Sequence, residues 1–292
     1  SFNVLSRLQD VPVNLATQTG EVWTPQNYDG KFHGEIPLRH AFVQSRNLAT
    51  VNLGLTLGVQ TVVRRLKAFG FEREIEDFPS LLLGAIDLSP LEVSQLYQGL
   101  ANSGFQVPLR AIRTITNSNN ETLKRYPAHV QQVADASSAY LVQYLLSQVV
   151  TTGTASRAAA RLRDRLPLAG KTGTSNDGRD SWFAGFGGNY LGVVWVGRDD
   201  NGETRLTGSS GALKVWIGLM EQIEVTPIQF GDGEKLNWQW LGPGGNAIVG
   251  KNCPGAMYVP VAEPHALAVD EQCELRRATE PELWDNIRNI FH

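Results

Sequence analysis

The chain has 292 residues, 42% of them hydrophobic, and its 26 Lys and Arg against 29 Asp and Glu give a formal net charge of −3. This length allows one large domain or two smaller ones, and the apolar content excludes disorder as the overall state. The balanced charge offers no cationic field to a polyanion, so we expect no nucleic-acid partner. No apolar run approaches the roughly 20 residues of a membrane helix, and no signal peptide is visible. We therefore expect a soluble piece of a longer protein.

The apolar pattern predicts a helical block, then a strand-rich block, then one more helix packing on the sheet, which is an α+β fold. The best-defined helix start is Ser89-Pro90-Leu91-Glu92, which combines a Ser N-cap, Pro at N1 and the Glu of a capping box. In chain order we first predict two short strands in 11–24 around a turn at Gln18-Thr19-Gly20, then helical structure from Ile36 and a helix over Val59–Phe69 capped by Gly70. A helix from Ser89 to Gly104, a strand pair around Asn117–Glu121 and a helix over Ala136–Val150 follow. The last predicted elements are strands in 168–174 and 181–198, with a turn at Gly187-Gly188-Asn189, and a helix over Ser210–Ile223.

The composition changes after Pro227, where many Gly and Pro residues interrupt any long element. We place a boundary near 226, with one domain over 1–226 and a C-terminal extension over 227–292. Thr279-Glu280-Pro281-Glu282 and the apolar residues after it predict a short amphipathic helix at the end. This helix docks either on its own domain or on a partner protein.

The extension also contains the chain's two cysteines, Cys253 and Cys273. In an oxidising compartment they would close a disulfide loop worth about 3 kcal/mol, and in the cytosol they would stay free thiols. The residues alone leave both readings open. With five His and no C-x-x-C, we expect no structural zinc site, no other metal and no cofactor.

Three Gly-containing motifs are weak and are set aside. The segment from Gly242 to Ala247 matches a dinucleotide fingerprint in letters, but the sequence predicts neither a strand before it nor a helix after it. Gly170-Lys171-Thr172 resembles the end of a phosphate-binding loop, yet the required upstream Gly position holds Arg165. The segment Gly208–Gly211 is not G-x-S-x-G, and no His is placed for a catalytic triad.

Lys171-Thr172-Gly173-Thr174 suits recognition of a carboxylate by a strand, because the ammonium supplies charge, the hydroxyls donate hydrogen bonds and Gly allows close approach. An exposed edge strand there would also pair with an extended peptide. Ser45-Arg46-Asn47 precedes it in a helical region and forms an S-x-N motif. An S-x-N followed by K-T-G is typical of the enzymes that form a penicilloyl-serine. As purely structural residues, Ser45 and Asn47 would cap a helix.

Together these motifs and the surrounding segments resemble the transpeptidase domain of the bifunctional (class A) penicillin-binding proteins, and most of all the 1b type of Gram-negative bacteria. The resemblance runs from about residue 10 to 226, and the two-cysteine tail is also similar to that of the 1b type. The segments that carry it are Val22-Trp23-Thr24-Pro25-Gln26-Asn27, Val51-Asn52-Leu53-Gly54, Leu82-Leu83-Gly84-Ala85, Leu168–Thr174, Trp182–Gly185 and Trp195–Asp199.

The resemblance implies a penicillin-binding or serine β-lactamase-like fold, in which helices cover an antiparallel sheet. It also implies a periplasmic serine acyltransferase that attacks the D-Ala–D-Ala end of a peptidoglycan stem peptide and is a target of β-lactams. Lys171 and Ser45 would relay a proton to the leaving group, and Asn47 would bind the donor peptide's amide. Thr172 and Thr174 would hold the terminal carboxylate beside Gly173, and the Thr174 N–H would form half of an oxyanion hole. An oxidising periplasm favours the Cys253–Cys273 disulfide.

The sequence departs from the family in one respect: it contains no S-x-x-K, the motif that carries the nucleophile and its lysine. The residue three positions before each of the seven lysines is never Ser. We expect an isolated chain that is inactive, part of a parent protein whose S-x-x-K piece and inner-membrane anchor lie elsewhere. The alternative is a non-catalytic module that binds stem peptides or cell-wall synthesis proteins.

Overall fold

The computed structural model describes residues 2–16, 20–230, 236–243, 245–262 and 267–270. Short 3₁₀ segments at Pro79–Leu83, Arg163–Arg165 and Asn176–Gly178 accompany the regular elements. The α-helices are α1 Leu38–Val43, α2 Asn47–Leu57, α3 Val59–Ala68, α4 Pro90–Ala101, α5 Ala136–Thr152, α6 Ser156–Arg161 and α7 Ala212–Gln222. The strands are β1 Arg7–Asp10, β2 Leu15–Ala16, β3 Val22–Trp23, β4 Gly34–Pro37, β5 Phe105–Gln106, β6 Thr114–Thr116, β7 Thr122–Arg125, β8 Gln131–Gln132, β9 Ala169–Thr174, β10 Ser181–Phe186, β11 Leu191–Val196, β12 Leu236–Leu241, β13 Ala247–Ile248, β14 Met257–Ala262 and β15 Ala268–Val269.

Elements with strong local signals lie where the sequence predicts them. Ser89 Oγ accepts the Glu92 N–H at 3.2 Å, and the Glu92 carboxylate accepts the Ser89 N–H at 2.8 Å, which completes the capping box of α4. The helix ends three residues before Gly104, which has a positive φ of 92°. Gly70, directly after the C-cap of α3, has a φ of 86°, as a terminating glycine should.

One prediction near the N-terminus is wrong. Ile36 does not begin a helix but lies in β4, opposite Leu8 of β1, and α1 starts only at Leu38. Ile36 and Leu8 are both buried. The strand forms because its partner lies almost thirty residues upstream, a pairing that no local pattern reports.

The sheet beside the predicted site is antiparallel and three-stranded, in the order β11-β10-β9. Its register pairs Thr174 with Ser181 and Trp182 with Trp195. Within the described residues, β9 has β10 as its one strand neighbour and forms the edge of the sheet. Helix α5 packs against β9, and α7 packs against β10 and β11. The K-T-G motif therefore lies on an edge strand supported by a helix.

The largest core cluster lies between α7 and this sheet. Trp216 of α7 is fully buried, its ring centroid is 5.0 Å from that of Phe183 on β10, and its indole N–H donates to the Gly185 carbonyl at 3.3 Å. The indole thus satisfies its polar group while it fills the core. Val149 and Val150 of α5 belong to the same cluster, which joins the helical and sheet parts.

The strands beyond residue 226 pack onto the same body of helices. One of them, β12, ends directly before Gly242, so the prediction that no strand precedes the Gly242–Ala247 segment is wrong. Leu241, Val259 and Val261 form a cluster with Leu5 near the N-terminus and Leu145 of α5. The boundary near 226 stays a prediction. Gln18 and Thr19 of the predicted turn, Cys273 and the predicted terminal helix lie outside the described residues. In the described part of the chain, no helix is long and apolar enough to cross a bilayer, and no cluster of His, Cys, Asp or Glu is suited to a metal.

We expect Trp216→Ala to lower the free energy of unfolding by about 3–5 kcal/mol, because it leaves a cavity between α7 and the sheet. Leu219 lies on the same helix with 48% of its side chain exposed, so Leu219→Ala is the matched control and should cost less than about 1 kcal/mol. Urea unfolding followed by circular dichroism measures both. Equal losses for the two variants would contradict the packing described above.

Candidate active site

The serine of S-x-N lies in the turn that ends α1. Arg46 N–H donates to the Ala41 carbonyl at 2.8 Å and Ser45 N–H donates to the Phe42 carbonyl at 3.2 Å, the two hydrogen bonds of a Schellman motif. That motif needs a residue in the left-handed region, usually Gly, and here Ser45 occupies it with a φ of 55°. A non-Gly residue in this conformation costs about 1–2 kcal/mol. The turn places Ser45 between α1 and α2.

Lys171, the lysine of K-T-G, reaches this serine from β9. Its ammonium donates to Ser45 Oγ at 2.7 Å and to its neighbour's carbonyl, Thr172 O, at 3.1 Å. The two side chains are 126 positions apart in the sequence, and both are partly buried. The structure thus brings together the two residues that the resemblance assigned to one proton relay.

The electrostatics of Lys171 favour proton exchange near neutral pH. Burial lowers the pKa of Lys171 to about 8, because desolvation disfavours the charged form. A protonated lysine has donors only, so Ser45 Oγ is the acceptor in this contact. The hydroxyl proton of Ser45 is consequently left to be donated to a third group.

Asn47 is the first residue of α2, and its side chain is fixed by one hydrogen bond. Its Nδ2 donates to the Gln26 carbonyl at 2.8 Å. An amide has two N–H donors and a carbonyl oxygen, so this contact holds the amide while a second N–H and Oδ1 remain for a ligand. Such a group fits the role of binding a peptide amide.

The two threonines of the K-T-G-T segment are held by neighbouring backbone and side chains. Thr172 Oγ1 lies 2.7 Å from Thr154 Oγ1, just beyond α5. Thr174 Oγ1 accepts the Gly208 N–H at 2.9 Å, so its own hydroxyl hydrogen is free to donate. A Cβ on Gly208 would lie 2.7 Å from the carbonyl oxygen of Gly173. The close approach behind the K-T-G strand therefore requires glycine.

Several residues of this region were not singled out from the sequence: Thr154, Gly208, Asp10 and Asn27. Thr154 and Gly208 contact the K-T-G threonines, but nothing in their local sequence distinguishes them from loop residues. Asn27 belongs to the segment Val22–Asn27 that carries part of the family resemblance, but the sequence indicates no role for this residue. Cys253 is buried, and no cysteine of the described residues is a free thiol; its pairing with Cys273 stays a prediction.

A family model agrees with this arrangement. The model described as the penicillin binding protein transpeptidase domain matches residues 3–196. The chain belongs to this family. The match includes the residues of both S-x-N and K-T-G.

The curated relatives give the same family, and a solved structure gives the same fold. Penicillin-binding protein 1B of Vibrio cholerae is 37% identical over 294 residues, covering 99% of this chain and 36% of that protein. Penicillin-binding protein 1B of Escherichia coli is 33% identical over 274 residues, covering 92% and 32%. The crystal structure of penicillin-binding protein 1A from Haemophilus influenzae superposes with a TM-score of 0.82 at 22% identity, over 92% of this chain and 46% of that one. The chain thus spans about a third of these curated relatives.

The left-handed conformation of Ser45 predicts an order of stability for two variants. Ser45→Gly and Ser45→Ala both remove the hydroxyl that Lys171 contacts, but only Gly relieves the backbone strain. We expect Ser45→Gly to be the more stable by about 1 kcal/mol. Urea denaturation of the two variants side by side measures the difference, and a more stable Ala variant would show that the turn is not left-handed.

The lowered pKa of Lys171 predicts a pH-dependent stability. The unfolded chain binds a proton at Lys171 up to about pH 10.5, whereas the folded chain loses it through pH 8. The wild type should therefore gain stability relative to Lys171→Met as the pH rises from 8 to 10.5, by at most about 3 kcal/mol. Urea unfolding of both proteins across this range isolates the effect, since all other titrations are common to them. A constant difference would contradict it.

Proposed function

We propose that this chain supplies the S-x-N and K-T-G parts of a peptidoglycan D-Ala–D-Ala transpeptidase, whose nucleophilic serine comes from a piece of the parent protein that carries S-x-x-K. The observation that carries the proposal is the 2.7 Å contact between Lys171 Nζ and Ser45 Oγ. A lysine of lowered pKa that donates to a serine hydroxyl is suited to proton transfer. A module that only binds has no need for this pair.

In the proposed reaction, the serine of S-x-x-K gives its proton to the lysine of that motif, attacks the carbonyl of the penultimate D-Ala and forms an acyl-enzyme. The bond to the terminal D-Ala breaks, and its nitrogen leaves as an amine after it accepts the Ser45 hydroxyl proton. Lys171 restores that proton through the hydrogen bond it already makes with Ser45. An amine of a neighbouring stem peptide then attacks the acyl-enzyme, and a new amide bond forms as the ester bond breaks. The amine gives a proton through Ser45 to Lys171, and the released serine takes its proton back from the lysine of S-x-x-K, which completes the cross-link.

The remaining site residues would hold the donor peptide. Asn47 binds its amide through the groups that Gln26 leaves free. Thr172 and Thr174 hold the terminal carboxylate beside Gly173, and the Thr174 N–H stabilises the oxyanion of the tetrahedral intermediate. The exposed edge of β9 accepts the extended peptide main chain to main chain. β-Lactams bind as mimics of this substrate.

The setting follows from the proposed substrate, which lies in the periplasm. We propose that the parent protein is anchored in the inner membrane by a segment outside this chain and that Cys253 and Cys273 form a disulfide in that oxidising compartment. Other cell-wall synthesis proteins would be partners of the parent protein. The residues 227–292 form its C-terminal extension.

The second candidate is a module that binds stem peptides or partner proteins without catalysis, and one observation favours it: the chain has no S-x-x-K. The two candidates differ in what penicillin does to the assembled protein, because only a transpeptidase becomes covalently acylated.

Intact-mass spectrometry under denaturing conditions, with and without excess penicillin, tests the proposal. The isolated chain should keep its mass, whereas the piece that carries S-x-x-K should gain the mass of one penicillin when both are present. In that assembly, Lys171→Met should slow adduct formation by about 10²–10⁴-fold. Lys214 is exposed on α7, so Lys214→Met is the matched control and should leave the rate unchanged. A covalent adduct on any serine of this chain, or no adduct on the assembly, would overturn the proposal.

A further inference from the structure

The S-x-N turn is covered by a loop that comes from far upstream. Residues 26–33 lie between β3 and β4, and they contact three consecutive residues after Ser45. Asp29 Oδ2 accepts from Arg46 Nη1 at 2.8 Å, and the Gln26 carbonyl accepts from Asn47 Nδ2 at 2.8 Å. Asn27 Oδ1 accepts the backbone N–H of Leu48 at 3.1 Å. The 26–33 loop thus makes one hydrogen bond to each of Arg46, Asn47 and Leu48.

The contact with Leu48 compensates for a deficiency of α2. Its N-cap residue, Arg46, makes no side-chain cap hydrogen bond, and its first turn has no acidic residue. The first N–H groups of a helix need acceptors from outside the helix. Asn27, 21 positions upstream and almost fully buried, provides the acceptor that a local Ser, Thr or Asp would normally give.

A buried carboxylate sets the orientation of Asn27. Asp10, at the end of β1, is fully buried, and its Oδ1 accepts from Asn27 Nδ2 at 2.8 Å. Its Oδ2 accepts the His33 backbone N–H at 3.0 Å and lies 3.1 Å from His33 Nδ1. Asn27 Nδ2 also donates to the Lys31 carbonyl at 2.7 Å. With both donors of Asn27 engaged on this side, Oδ1 must face Leu48, and a flipped amide would have no partners.

We propose that Asn27 and Asp10 are positioning residues of the active site: Asn27 caps α2 from outside the helix, Asp10 holds Asn27 in the capping orientation, and together they keep Ser45 in contact with Lys171. The strained turn at Ser45 leads directly into α2, so an N-terminus of α2 that is free to shift would let the serine leave the lysine. The proposal concerns the Ser45–Lys171 contact and holds whichever reaction this contact serves.

Asn52, an asparagine of the helix that Asn27 caps, provides a control that separates positioning of the site from a general loss of stability. Asn52 Nδ2 donates to the carbonyls of Gln9, Val11 and Leu48, and so ties α2 to the end of β1 and the residues after it. Asn52→Ala removes as many hydrogen bonds as Asn27→Ala but leaves the S-x-N turn untouched. Both variants should lower the unfolding temperature.

The decisive readout is the titration of Lys171 in the complete 292-residue chain, followed by NMR of ¹³C-labelled lysine and assigned with Lys171→Met. In Asn27→Ala, water should reach the ammonium, and the pKa of Lys171 should rise by about one unit, a tenfold change in its acid dissociation constant. Asn52→Ala should leave it at the wild-type value. An unchanged titration in Asn27→Ala, or an equal rise in both variants, would overturn the proposal.

Exchanging the two partners provides a rescue test. Asp10→Asn alone places an amide donor against the Asn27 donor, and it should raise the pKa of Lys171 as Asn27→Ala does. The double variant Asp10→Asn/Asn27→Asp restores the hydrogen bond between positions 10 and 27, because Asn at 10 can donate to Asp at 27 while its oxygen accepts the His33 N–H. It also sets a carboxylate oxygen against the Lys31 carbonyl, to which Asn27 Nδ2 donates in the wild type, so the rescue should be partial. Asp at 27 still accepts the Leu48 N–H. The double variant should bring the pKa of Lys171 back below its value in Asp10→Asn, and an equal or higher value would count against oriented capping by this pair.

Discussion

One hydrogen bond, from Lys171 Nζ to Ser45 Oγ, joins the two parts of the site. Ser45 belongs to the helical part and Lys171 to the edge strand β9, and the two meet only because both parts pack on α5. Within the described residues Lys171 has no ion pair, and desolvation alone lowers the pKa of its ammonium. The site therefore depends on packing that holds an ammonium beside a hydroxyl, and small shifts of either element would separate them.

Holding this contact costs stability in two places. Ser45 occupies a left-handed conformation that suits glycine, and Lys171 loses hydration without gaining a carboxylate partner. Both costs are offset away from the site, by the cluster around Trp216 and Phe183 and by the one that joins Leu5, Leu145 and Val259. The same clusters immobilise α5 between the two parts, so the packing that stabilises the fold also fixes the distance between Ser45 and Lys171.

The fold and the two motifs could be read from the sequence wherever the signal is local. The capping box at Ser89, the glycine after α3 and the Gly187-Gly188-Asn189 turn between β10 and β11 act within a few residues, and these elements were predicted correctly. The pairing of Ile36 with Leu8 was missed, because a strand is defined by a partner that can lie anywhere in the chain. For the same reason, the S-x-N and K-T-G motifs could be recognised in the sequence, but the 2.7 Å contact between Ser45 Oγ and Lys171 Nζ could not be derived from their spacing.

The cap on α2 shows the same limit in the site itself. A helix normally has Ser, Thr, Asp or Asn at its N-cap position, whereas the N-cap residue of α2 is Arg46. The acceptor comes from Asn27, whose own orientation depends on Asp10, so three separate segments specify one helix start. No window of sequence contains that information. Where an active-site helix lacks a local cap, a buried Asn or Asp from another segment is the feature to look for.

The polar contacts of the site are already formed within this chain. Ser45 with Lys171, Thr172 with Thr154 and Thr174 with Gly208 each lie within hydrogen-bond distance before any substrate or further segment is present. The conformational entropy of these side chains is thus lost on folding and not on binding. In this sense the site is preorganised. On the proposed function, a segment that brings the nucleophile would add one serine and one lysine to side chains that are already ordered.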